Sequence, residues 1–326
     1  MPEVLYKKGG DMIALYLDKL NANMEKMLLE RMPADIDVRF LNPTTGEKGE
    51  LAEAEMLIDT TYQVTREVID AAPKLRLIQR TGIGVDMVDT DYARQKGIPI
   101  SVCRGFNSVS VAELAILDML ALYRRLPFMD ASMKRGEWHT WTYRHASYEL
   151  TGKTVGVVGA GAIGRHVMKR LKDFDCTLLY YDVRRLPPET EKDLGARFCS
   201  LEEILKEADV ITLHLPLLPS TKHMIGAREL KRMKNTAALV NCARDMLIDL
   251  DALADALLNG EIMGAAIDVF GPLTEQSPLY RARDCNLILT PHIGAATFDN
   301  YDRVYRLCAV NAEHLLHGEE PEDLLK

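Results

Sequence analysis

The stretch TVGVVGAGAIGRHVMKRL, Thr154 to Leu171, decides the fold. Its first five residues, Thr154 to Val158, are apolar and rich in valine, as a strand buried in a parallel sheet should be. Gly159, Gly161 and Gly164 follow at once in the spacing G-x-G-x-x-G. The first allows a tight turn, the second lets backbone approach a pyrophosphate, and the third lets a helix pack on its strand. That helix is expected from about Ala162, so the free amides of Ala162, Ile163 and their neighbours face two phosphates. The next apolar run, Thr177 to Tyr181, predicts a second strand ending in Asp182, placed to bond the hydroxyls of an adenosine ribose. Glycines at this spacing also occur in plain tight turns. Strand, glycines, helix, strand and terminal Asp in that order point to a dinucleotide.

The 326 residues suffice for two domains, and the 47% hydrophobic content is ordinary for a soluble globular enzyme. Forty Lys plus Arg against 48 Asp plus Glu leave a net charge of -8, which argues against a general nucleic-acid surface. The six cysteines (Cys103, Cys176, Cys199, Cys242, Cys285, Cys308) form no CxxC pair. They read as reduced thiols of a cytoplasmic protein, without a disulfide frame or a metal site. No signal-peptide core and no membrane-length apolar run is present, so no membrane association is expected.

Outward from the glycine stretch, strand and helix alternate. Upstream, Val4–Tyr6, Val38–Leu41, Glu55–Ile58, Leu75–Gln79 and Ile98–Val102 predict strands. Asp11–Leu29, Thr65–Ala71 and Val88–Lys96 predict helices, the first from the spacing of Ile13, Leu17, Leu20, Met24, Met27 and Leu28. Asn42–Gly46 reads as a turn. Arg80-Thr81-Gly82-Ile83-Gly84-Val85-Asp86 follows a strand, and its glycines either receive a small anion on backbone donors or form a structural turn. Ser110 to about Lys134 reads as one long helix just after a domain crossing. The aromatic stretch Gly136–Thr151 either packs on a partner subunit or wraps its own domain. Past Asp182, Pro187-Pro188 breaks the chain. Strands are expected over Arg197–Cys199, Val210–Leu215, Ala238–Asn241, Gly264–Val269 and Leu287–Thr290. Helices are expected over Leu201–Glu207, Ala227–Met233, Asp249–Leu258 and Thr297–His317. The natural product is an α/β fold with a doubly wound, mostly parallel sheet.

Ligands of such sheets bind beyond the carboxyl ends of the strands, where Arg244, Asp268 and His292 lie. His292 is the acid/base candidate, because an imidazole can exchange a proton with a carbinol or carbonyl oxygen near neutrality. Arg244 offers a planar fork for a carboxylate. Asp268 suits the nicotinamide or the strand end better than proton transfer, and Glu275 is a candidate to orient His292.

The sequence resembles the D-isomer-specific 2-hydroxyacid dehydrogenase family over nearly its whole length. The runs that carry the likeness are RTGIGVDMVDTDYARQKGI (80–98), TVGVVGAGAIG (154–164), HLPLLPSTKHMIG (214–226), NCARDMLIDLDALADALLNGEIMGAAIDVF (241–270) and LTPHIGAAT (289–297). The resemblance implies a Rossmann NAD-binding domain over 109–295 and a smaller flavodoxin-like α/β substrate domain from 1–108 plus 296–326. It implies hydride transfer between NAD, bound in the cleft between the domains, and a small D-2-hydroxy or 2-oxo acid, commonly in a homodimer. It assigns His292 as the catalytic acid/base and Arg244 as the carboxylate-binding, carbonyl-polarising residue. Thr81, Gly82 and Ile83 become the loop that receives the carboxylate. Leu215, Pro216, Cys242, Ala243 and Asp268 fall around the nicotinamide, and Val109 near the cofactor at the crossing helix. Val183, Arg184, Thr221 and Gly294 complete the implied cofactor set. Asp182 favours NAD, although Arg184 and Arg185 could tolerate a 2′-phosphate. The acid's side chain is expected near Tyr62, Arg80, Phe106 and the aromatic loop, with Arg80 suited to a second acidic group if it faces that way.

Two departures from the family pattern stand out. Asp245 replaces the usual Gly after the arginine, and either draws Arg244 from the substrate or points away. The run after Asp-Val-Phe continues Gly271-Pro272-Leu273-Thr274-Glu275. Either Gly271-Pro272 replaces the family's Glu-Pro and leaves no carboxylate for His292, or Glu275 supplies it from a shifted loop. These departures keep two rival readings open: oxidation of another small anion such as formate or phosphite, and a dinucleotide-responsive regulatory protein.

Overall fold

The computed structural model describes residues 10–41 and 47–325, so the expected strand Val4–Tyr6 and turn Asn42–Gly46 lie outside the described residues. The chain divides into two units, Met1–Asn107 with Phe298–Lys326, and Ser108–Thr297. In chain order the first unit begins with β1 (Met12–Tyr16), α1 (Ala22–Leu29), β2 (Ile36–Phe40), α2 (Glu47–Leu51) and β3 (Met56–Asp59). It continues with α3 (Arg66–Asp70), β4 (Leu77–Arg80), α4 (Thr90–Gln95) and β5 (Ile100–Ser101). Among the described residues its sheet has the order β2-β1-β3-β4-β5, with every pair parallel. This is the flavodoxin-like order.

The expected helix over Asp11–Leu29 is half wrong. Met12–Tyr16 is the strand beside the switch point, paired with both β2 and β3. Met12, Ala14 and Tyr16 pack in one core layer and Leu15 in the opposite one. A strand covered on both faces reads as a continuous apolar run and mimics a buried helix. The true helix starts later, where the Asn21 side chain accepts the amides of Asn23 and Met24.

The second unit holds α5 (Ser108–Arg124), α6 (Leu126–Lys134), β6 (Thr154–Val158), α7 (Ala162–Leu171), β7 (Thr177–Tyr181), α8 (Pro188–Leu194) and β8 (Ala196–Phe198). After these come α9 (Leu201–Glu207), β9 (Val210–Leu213), α10 (Ala227–Leu230), β10 (Ala238–Asn241), α11 (Leu250–Leu258), β11 (Gly264–Ile267) and β12 (Leu287–Leu289). Its strands run β12-β11-β10-β9-β6-β7-β8, all parallel, so the winding reverses between β6 and β9. One face is covered by α5 and α7, the other by α9, α10 and α11. The last helix, α12 (Phe298–His317), belongs to the first unit, where Val304, Tyr305 and Cys308 pack on the layer of β1.

Two further expectations are corrected. The single helix over Ser110–Lys134 breaks at Arg125, whose backbone is left-handed (φ 51°). Pro127 cannot donate to the turn before it, so the helix restarts there. Pro187-Pro188 does not simply break the chain: Pro188 opens α8, where its missing N–H costs nothing. Among the described residues no helix is long and apolar enough to cross a membrane.

Candidate active site

At the switch point, the backbone after β6 is shaped by what it cannot accommodate. Gly159 has φ 102°, and a Cβ there would strike the carbonyl of His214 at the end of β9. A Cβ on Gly164 would strike the Gly159 carbonyl. Gly161 instead faces open space, with nothing within 4 Å, and caps α7 in an extended conformation. Ala162 and Ile163 therefore begin a helix whose first amides point out of an open cradle. Asp182 ties this loop to β7: its Oδ2 accepts the Ala160 amide at 2.7 Å and its Oδ1 the Arg184 amide at 3.1 Å. Val183 is 89% exposed. These residues fit a dinucleotide.

Three adjacent strands supply the rest of the edge. After β10, the buried Asn241 shapes the loop: its Oδ1 accepts the Ala243 amide at 3.0 Å and its Nδ2 donates to the Arg244 carbonyl at 2.8 Å. Cys242 and Ala243 are buried and Arg244 is half-buried, with Nη1 donating to the Ala243 carbonyl at 2.8 Å. Asp245 is exposed, and its Oδ1 accepts the Met246 amide at 2.7 Å. Behind this loop, the Cys242 thiol faces Oδ2 of Asp118 on α5 at 3.7 Å. Burial, then the charge of Asp268, pushes Asp118 up to about 7.

After β11, Asp268 is 1% exposed and organises the loop that follows β12. Its Oδ1 accepts the Thr290 hydroxyl and the Ile293 amide, both at 2.7 Å, and its Oδ2 the Gly294 amide at 2.8 Å. Its carbonyl accepts the His292 amide at 2.7 Å. His292 is thereby held in a left-handed conformation, φ 56°, with its side chain exposed at the strand edge. Such a backbone costs a non-glycine residue about 1–2 kcal/mol and persists where neighbours over-determine it. Asp268 serves this loop, a role that sequence alone left divided between strand end and nicotinamide.

The structure does not bring Glu275 to His292. Thr274 and Ser277 close a turn, with the Thr274 amide donating to Ser277 Oγ at 3.0 Å, and Glu275 is exposed on it. Among the described residues no ion pair is made by His292. Nearer the cradle, the loop after β9 carries Leu215 and Pro216. Thr221 closes that loop, its hydroxyl donating to the Pro216 carbonyl and accepting the Leu218 amide, both at 2.8 Å. His214, not singled out by sequence, bonds Thr212 Oγ1 at 2.9 Å, and burial pushes it down to about 3. It therefore stays the neutral imidazole at physiological pH. Val109 lies in the first turn of α5 and is half-buried, and the next residue, Ser110, bonds Thr297 Oγ1 at 2.9 Å.

In the first unit, Thr81, Gly82 and Ile83 follow β4. The Thr81 hydroxyl donates to Thr60 Oγ1 at 2.8 Å, Gly82 has open space where a Cβ would lie, and Ile83 is 51% exposed. Arg80 is not directed at a ligand. It is buried, its Nε donates to the Gly84 carbonyl at 2.8 Å, and its Nη1 pairs with the fully buried Asp59.

Residues 116–294 match the family model described as D-isomer specific 2-hydroxyacid dehydrogenase, NAD binding domain. The chain is 38% identical over 312 residues to a D-3-phosphoglycerate dehydrogenase of Methanocaldococcus jannaschii, covering 95% of this chain but only 59% of that relative's length. It is 37% identical over 297 residues to a glyoxylate reductase of Thermococcus litoralis, covering 87% of this chain and 88% of the relative. Among solved structures it is similar to D-lactate dehydrogenase from Aquifex aeolicus complexed with NAD and lactic acid. That likeness has a TM-score of 0.80 at 28% identity and covers 94% of this chain and 96% of the other.

Proposed function

Because this chain belongs to the D-isomer-specific 2-hydroxyacid dehydrogenase family, we propose that it transfers a hydride between NAD and a small D-2-hydroxy acid or its 2-oxo counterpart. The observation that carries this reading is the order along one sheet edge: glycine cradle after β6, arginine after β10, clamped histidine after β12. Bound NAD supplies or accepts the hydride. Gly159, Gly161, Ala162, Ile163 and Gly164 hold its pyrophosphate, and Asp182 its adenosine ribose. Leu215, Pro216, Thr221, Cys242, Ala243 and Gly294 surround the remainder, with Val109 opening α5 beside it. Unit Ser108–Thr297 is the cofactor domain, and the other unit the substrate domain.

Arg244 grips the substrate carboxylate with a planar fork and polarises the neighbouring carbonyl. In the substrate domain, the exposed backbone of Gly82 and Ile83, beside Thr81, is the loop that the family likeness assigns to carboxylate binding. His292 gives a proton to the carbonyl oxygen during reduction and takes it back during oxidation. The Asp268 clamp fixes where that imidazole sits, and Glu275 has no part in the step. Arg80, already matched by Asp59, has no free charge for a second acidic group. A buried Arg80 already paired with Asp59 favours a small monocarboxylic acid such as glyoxylate or lactate over a phosphorylated one.

A second copy of the chain covers the α6 face. Trp138 and Trp141, in the loop after α6, are 75% and 73% exposed, and Leu126, Phe128 and Met133 of α6 are exposed too. Phe128 anchors the aromatic loop on α6 through His139 and Tyr143, at 5.4 and 5.2 Å between ring centroids. A homodimer buries the tryptophans. The free state of all six cysteines supports a cytoplasmic location.

The test is NADH consumption with glyoxylate, pyruvate and hydroxypyruvate, beside oxaloacetate and a phosphorylated 2-oxo acid, and NAD+ reduction with formate and phosphite. Activity concentrated in the first three supports the reading. Silence toward every 2-oxo acid refutes it: turnover of formate or phosphite then favours the other small anion, and silence there too, in protein that binds NADH, a regulatory role.

A further inference from the structure

Arg185 lies three residues past Asp182, yet its guanidinium is already engaged. Its Nε donates to Glu191 Oε1 at 2.8 Å and its Nη2 to Oε2 at 2.9 Å, a two-point pairing of fork and carboxylate. Glu191 is itself anchored. The hydroxyl of the fully buried Tyr180 on β7 donates to the same Oε1 at 2.6 Å and accepts the Leu186 amide at 2.9 Å. The guanidinium also lies 5.7 Å from the centre of the Phe198 ring, which packs on Tyr180 at 5.4 Å. Only 12% of the Glu191 side chain is exposed, against 63% for Arg185, so the acid is the fixed partner and the arginine the one drawn to it. Arg185 beside it, and Tyr180 next, hold the Glu191 carboxyl down at about 2, so the pair stays charged across the working pH range.

In this fold the carboxylate ending the second strand bonds the adenosine ribose hydroxyls, and a nearby arginine is what accommodates a 2′-phosphate. Asp182 places a negative charge at that point. We propose that Glu191 is a second selectivity residue against NADP, withholding Arg185 from a 2′-phosphate. Glu191 acts through Arg185 and touches no cofactor itself. The inference rests on the NAD reading above. Because the pair is partly exposed, and such pairs are weak, the effect is a bias and not a block.

The experiment is calorimetric binding of NAD+ and NADP+ to the wild type, E191Q, R185A and the double variant. The wild type should bind NAD+ more tightly. E191Q should strengthen NADP+ binding about two- to five-fold and leave NAD+ binding unchanged. The gain should vanish in the double variant. R185A alone should change NADP+ binding by less than about two-fold, because Glu191 holds Arg185 for most of the time in the wild type. Since Arg185 is exposed, this arm holds even if E191Q folds poorly. Loss of NADP+ affinity in R185A, no gain in E191Q, or a gain that survives without Arg185 would each overturn the proposal while leaving the NAD reading intact. Absence of NAD+ binding would overturn both.

Discussion

Asp268→Asn keeps the shape of a buried side chain and removes its charge. The carboxylate accepts three hydrogen bonds through two oxygens, from the Thr290 hydroxyl and the Ile293 and Gly294 amides. An Asn has one acceptor oxygen. If that oxygen serves Thr290 and Ile293, the NH2 group meets the Gly294 N–H, donor against donor. The loop cannot shift freely, because a Cβ at Gly294 would already lie 3.0 Å from Asp268 Oδ2 and 3.3 Å from Val111. A hydrogen bond to a charged acceptor is worth about 1.5–3 kcal/mol. The left-handed backbone of His292 adds strain that the clamp now contains. A loss of roughly 2–4 kcal/mol follows, or a fall of roughly 5–15 °C in melting temperature for a unit of this size. The imidazole is displaced as well, so kcat should fall by about 10- to 100-fold, while NADH affinity changes less. Thermal melts, NADH titration and steady-state kinetics on the same preparation read all three. A variant with wild-type melting and wild-type kcat would refute the clamp. Lower melting with unchanged kcat would separate it from the placement of His292.

Glu275→Gln should leave the pH–rate profile and kcat unchanged within about two-fold, since Glu275 makes no ion pair with His292; a displaced profile would restore it to the proton path. Asp118, raised to about 7 by burial and by Asp268, keeps a proton in the native state that the unfolded chain releases near pH 4. Native stability therefore falls as pH rises from about 4 to about 7 and levels off above. Asp118→Asn removes that loss, so its gain over the wild type should be roughly 2–3 kcal/mol larger at pH 8 than at pH 5, as denaturant unfolding at the two pH values would show. Replacing Trp138 and Trp141 together by Ser should shift the protein from dimer to monomer in light scattering, and an unchanged mass would place the interface elsewhere.

The elements around the glycine stretch were legible because several local signals agree there. Thr154–Val158, the helix start at Ala162 and Thr177–Tyr181 match the observed bounds. Arg244 and His292 were legible as reactive side chains just past strand ends. Met12–Tyr16 was misread because a strand covered on both faces carries no alternation. Asn21, a capping residue in front of the true helix, was the overlooked signal. The supports of the site were harder to see. Asn241 and Asp268 act on backbone groups of distant or neighbouring loops, and a polar residue at a strand end does not announce which amides it will hold. Asp118 stood in an apolar helical stripe as an irregularity, and its partner Cys242 lies 124 residues away. Arg80 and Arg185 looked available in sequence; only folding revealed Asp59 and Glu191 beside them.

The most direct test of the account is the kcat of His292→Asn for NADH-dependent reduction of a small 2-oxo acid, measured on protein whose NADH affinity has been verified. Proton transfer by a positioned imidazole contributes about 10²- to 10⁴-fold, and a fall of that size with NADH binding preserved is the expected result. Turnover at the wild-type rate without that imidazole would contradict the assignment of the proton to His292 and, with it, the mechanism built on this sheet edge.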